Sequence, residues 1–60
     1  MKEYITRSIH DADFLIGDLR EALHAASRTE GIIIMQLIHD AAKLQARIGE
    51  LSAAYEEDHQ

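Results

Sequence analysis

The sequence predicts an all-α fold, an antiparallel helical hairpin that dimerises into a four-helix bundle. Three observations predict it. Two apolar series repeat at heptad spacing, a cap signal lies between them, and no proline interrupts the chain. The chain has only 60 residues, and a domain of that size buries only about 60% of the surface that its unfolded chain exposes. With no cysteine, neither a disulfide nor a thiolate zinc site supports it. A second copy of the chain is the simplest support left.

The first helix is expected over about residues 3–27. Its seam is Ile5, Ile9, Ala12, Ile16, Leu19, Leu23 and Ala26, spaced 4, 3, 4, 3, 4, 3. Leu15 and Ala22 widen that seam into the broader stripe of a bundle helix.

The turn is expected at about residues 27–31, the stretch Ser27-Arg28-Thr29-Glu30-Gly31. Ser27 and Glu30 have capping-box spacing, so each side chain can satisfy the other residue's amide. Gly31 offers a second reading, as the glycine that closes the first helix. Extending the first seam would put Glu30 on a core position, so the two seams belong to separate helices, or to one helix with a four-residue stutter.

The second helix is expected over about residues 31–56. Its seam is Ile34, Leu37, Ala41, Leu44, Ile48, Leu51 and Tyr55, spaced 3, 4, 3, 4, 3, 4, with Ile38 widening it. A strand over 31–38 is the competing reading, because three consecutive isoleucines favour β structure. The run lacks alternation and feeds straight into the helical seam, which favours helix. Residues 57–60 are expected to be a frayed acidic tail, and 1–60 to form a single hairpin domain. The sequence Ile9-His10-Asp11-Ala12 returns as Ile38-His39-Asp40-Ala41, an echo explained by similar pattern pressure on two amphipathic helices.

The start of the second helix is apolar nearly all round. Ile32, Ile33, Ile34, Met35, Leu37 and Ile38 project in several directions, and one neighbouring helix covers only one of them. These residues, with Ala41, are therefore the expected dimer interface, in an isologous contact between two hairpins.

No arrangement for chemistry emerges. Glu21 and His24 have the Glu-x-x-His spacing of carboxylate-bridged metal bundles, but residues 33–37 opposite them hold no carboxylate, so no metal is expected. His10-Asp11 and His39-Asp40 are sequence neighbours, which point about 100° apart on a helix and cannot pair. No serine has a histidine and an acid at convincing spacing, and no glycine-rich phosphate loop is present. The chain is therefore not expected to be an enzyme or to hold a cofactor.

The expected partners are a second copy and another protein. Asp11, Asp13, Asp18 and Glu21 make one side of the first helix acidic, and Phe14 lies among the charges. Phe14, with Asp11, Asp18 and Glu21, is the candidate partner-binding surface. Nucleic acid is unlikely on charge grounds: the net charge is −5 and the six basic residues are scattered. The seven residues 32–38 form the longest nearly unbroken apolar run, short of the roughly 20 that span a bilayer. The start, Met1-Lys2-Glu3-Tyr4, has no apolar signal core. A cytoplasmic protein is expected.

The leading expectation is a non-enzymatic interaction module, a small helical adaptor, inhibitor or chaperone-like regulator that docks helix faces on a partner. Two alternatives stand beside it. One is an RNA-binding hairpin dimer, whose architecture is similar to that of the plasmid RNA-modulator (Rop-type) bundles. The other is a structural subunit of a larger secretion or phage assembly.

Overall fold

The computed structural model describes residues 1–59 and contains two helices packed against each other as a hairpin. Helix α1 spans Lys2–Leu23, and helix α2 spans Arg28–Asp58. The Cα trace measures 48 × 15 × 10 Å. At 1.5 Å per residue, α2 alone is about 46 Å long and sets the long dimension.

Helix α1 forms around the expected seam. Ile5, Ala12 and Ile16 are buried, and Ile9, Leu19, Leu23 and Ala26 are half-buried. The helix ends at Leu23, before the expected boundary near 27. The chain then tightens: the amides of His24, Ala25 and Ala26 donate to the carbonyls of Glu21, Ala22 and Leu23, each three residues back. This 3₁₀-type winding carries Ala26 to its half-buried place on the seam.

The turn therefore lies at 24–27 rather than 27–31. Ser27 is the N-cap of α2, in extended conformation at φ −68° and ψ 171°. Its Oγ accepts the Glu30 amide at 3.2 Å, and Glu30 Oε1 accepts the Ser27 amide at 2.8 Å. Two of the donors left open at a helix start are thereby satisfied. The cap begins α2 at Arg28, so Gly31 lies inside α2 and does not close α1. No described glycine has a positive φ, as the closing role would have required. No strand forms at 31–38, and the helix runs through the isoleucines. At the far end α2 reaches Asp58, so Glu57 and Asp58 of the expected tail are helical and Gln60 lies outside the described residues.

The inward face of α2 differs from the expected seam. Ala41 is buried, and Ile34, Ile38, Gln45, Ile48, Ser52 and Tyr55 are half-buried. This series is also a heptad seam, spaced 4, 3, 4, 3, 4, 3, and it shares positions 34, 41, 48 and 55 with the expected one. At the alternate positions it uses Ile38, Gln45 and Ser52. The expected Leu37, Leu44 and Leu51 remain 46%, 56% and 46% exposed. The two helices pack with Ile38 and Gln45 turned toward α1, which swings the leucines to one side.

Register is visible in two polar contacts. Gln45 Nε2 donates to Asp13 Oδ1 across the helix pair, and Lys2 Nζ lies 3.9 Å from Glu56 at the open end. The second is largely exposed and adds little stability. Ala12 and Ala41, the last residues of the two Ile-His-Asp-Ala segments, are both buried and line one shallow groove. The echo thus reflects a shared need for a small inward residue where the helices meet.

The core is thin. Only Ile5, Ala12, Ile16 and Ala41 count as buried apolar residues among those described.

Candidate interaction surfaces

Two surfaces of the hairpin gather exposed apolar residues beside a hollow or groove, one on the outer side of α1 and one along the groove between the helices.

The outer surface centres on Phe14, which is 73% exposed, the largest value among the exposed large apolar residues. At about 100° per residue, Phe14 lies about 180° from Ile5 and so points away from α2. A shallow hollow beside it is lined by His10, Asp13, Phe14, Gly17, Asp18 and Glu21. Gly17 lies in its lining with open space where a Cβ would sit. Glu21 lies one helical turn after Gly17, and His10 two turns before it.

Of the expected partner-binding residues, the structure brings Phe14, Asp18 and Glu21 to this hollow. Asp11 instead lines the inter-helix groove with Ser8, Ala12, Leu15, Ala41, Leu44 and Ile48. Asp13 joins the hollow while its carboxylate is held by Gln45. The sequence predicts Asp13 on the acidic side; the structure adds His10 and Gly17 to the surroundings of Phe14. Their positions four residues before and three after it were the available signal. Three carboxylates around one ring give the hollow an acidic rim that favours a cationic contact.

The second surface follows the groove. Leu15, Leu19, Leu37, Asp40, Ala41 and Leu44 line its middle, and Ala22, Ala25, Ala26, Glu30, Ile33 and Ile34 line its turn end. The seven expected dimer-interface residues divide. Ile33, Ile34, Leu37 and Ala41 border the groove, and Ile38 is half-buried on the inward face of α2. Ile32 and Met35 are 57% and 60% exposed and point away from the leucines, because they sit about 140° and 160° around the helix from Leu37. The residues 32–38 therefore do not form one patch.

Basic side chains are spread. Lys2 faces Glu56, Arg47 lies 3.4 Å from Glu50, and Arg7 sits over the Tyr4 ring at 5.7 Å. Among the described residues no group of three or more His, Cys, Asp or Glu is arranged to hold a metal ion. No helix among them is long and apolar enough to cross a membrane. The carboxyl of Glu30 is held below the ordinary 4.5 of a free glutamate by the Ser27 amide and then by the Ser27 hydroxyl.

Comparison with known proteins gives no match: no family model, no curated protein and no solved structure matches the chain.

Proposed function

We propose that this chain is a non-enzymatic protein-interaction module: a helical hairpin that dimerises into a four-helix bundle and docks on another protein through the outer side of α1. The observation that supports the docking reading most is the exposed Phe14 ring beside the Gly17 hollow, with Asp13, Asp18 and Glu21 around it. An apolar anchor inside a charged rim is the usual anatomy of a binding hot spot. The partner segment that fits is a basic amphipathic helix. One apolar side chain would lie over Gly17 against Phe14, and lysines or arginines would face the carboxylates. Such a module acts as an adaptor, inhibitor or chaperone-like regulator by occupying that helix.

The test uses a fluorescein-labelled amphipathic peptide of leucine and lysine, titrated with the wild-type chain and read by anisotropy. Binding is expected in the micromolar range, at least tenfold weaker for Phe14→Ala, and weaker as salt rises. Binding that survives Phe14→Ala, or that is lost in Leu44→Ala instead, overturns the assignment of this surface.

A further inference from the structure

The row of Leu37, Leu44 and Leu51 recurs every seven residues and lies outside the inward face of α2. Leu15, also exposed, flanks the same groove from α1. We infer that this leucine face is the dimer surface, and that it is covered by the same face of a second copy in an antiparallel, two-fold arrangement. The inference rests on the dimeric reading above and fixes which residues meet.

The area favours a partner of this size. The chain exposes 4910 Å². Surface scaling gives about 3,950 Å² for a compact monomer of 6.8 kDa. The excess, about 950 Å², is close to the roughly 800 Å² that each partner contributes to a standard interface. An interface of standard size with a second hairpin would remove an excess of that order.

The sequence also matches itself across a two-fold axis. With the axis at the level of Leu44, Leu44 meets its own copy. Leu37 then meets Leu51 of the second copy, since each lies seven residues from the axis. The charges beside the leucines agree. Asp40 lies four residues before Leu44 and Arg47 three after, so the two come level across the axis to within one residue, about 1.5 Å. Arg47 already extends along the surface toward Glu50 and can turn to the second copy's Asp40 instead. Ala12 of α1 shares the groove with Leu44. Asp11, one residue before Ala12, lines the same groove and comes within two residues of its own copy across the axis. The α2–α2 contact therefore pairs opposite charges, whereas the α1–α1 contact brings two carboxylates near each other.

The absence of cysteine makes the test clean, because each single-cysteine variant of the full chain carries one thiol. Under mild oxidation at micromolar concentration, Leu44→Cys is expected to form a disulfide-linked dimer. Leu37→Cys and Leu51→Cys are each expected to remain mostly unlinked, and their equimolar mixture to link. Ile32→Cys is the control for the turn end. Linking through Ile32→Cys but not Leu44→Cys overturns the assigned face while leaving a dimer. Linking of Leu37→Cys to itself overturns the antiparallel register. Failure of every variant to link, with a folded monomer by circular dichroism and sedimentation, overturns dimerisation itself. Peptide binding through Phe14 is read in a separate assay, so loss of one result does not imply loss of the other.

Discussion

Replacing Leu44 with alanine separates an interface leucine from a merely exposed one. Leu44 is 56% exposed in the single chain. Fully burying a leucine side chain contributes about 1.5–3 kcal/mol, so the part still open to water is worth about 0.8–1.7 kcal/mol when covered. A two-fold contact counts it twice. Alanine keeps the β-carbon, which leaves a loss of about 1–3 kcal/mol per dimer. At 1.4 kcal/mol per decade, the dimer dissociation constant should rise about 5- to 150-fold. Sedimentation equilibrium over a dilution series measures it. Ile32→Ala is the matched control: Ile32 is 57% exposed but lies on another side of α2, and its effect should stay below about threefold. If Ile32→Ala weakens the dimer and Leu44→Ala does not, the assigned face is wrong, whatever the helicity of the variants.

Two further predictions concern the hairpin itself. Ser27→Ala removes one arm of the capping box and should cost about 1 kcal/mol of stability, read as a lower thermal midpoint by circular dichroism. The other arm depends on pH. The Glu30 carboxylate is held below 4.5 by the Ser27 amide first and then its hydroxyl, so its contribution is present above pH 4.5 and is lost as pH falls through its folded value. Glu30→Gln should therefore destabilise the chain at neutral pH and match wild type in acid, and a constant difference across pH would refute the arm's role. Gly49 lies inside α2 with open space where a Cβ would sit. Gly49→Ala should stabilise by about 0.5–1 kcal/mol, raising the midpoint by roughly 2–8 °C; a fall would show that this position is covered in the working assembly.

The sequence carried the helices and their cap, and it fell short on which neighbour each apolar stripe meets. All seven residues of the first seam, six in α1 and Ala26 in the turn, are buried or half-buried, because α1 offers one dominant stripe. Helix α2 offers two. Two heptad series share Ile34, Ala41, Ile48 and Tyr55 and differ only at 37, 44 and 51 against 38, 45 and 52. Hydrophobicity favours the leucines, yet the packed face takes Ile38, Gln45 and Ser52. Periodicity reports that a residue wants cover but not what covers it. The same limit explains the turn end, where Ile32 and Met35 share a greasy run with Leu37 but lie on a different side of the helix. At the outer site Phe14 and its acids were legible as exposed charges around a ring. The hollow was not, because it takes in His10 and Gly17, which carry no charge pattern of their own.

Sedimentation equilibrium of the unmodified chain decides whether the hairpin pairs with a second copy. At micromolar concentration and neutral pH, a single folded species of twice the 6.8 kDa chain mass is the predicted result. A helical species that stays at 6.8 kDa up to several hundred micromolar would contradict it, because the leucine face would then remain in water in a stable fold.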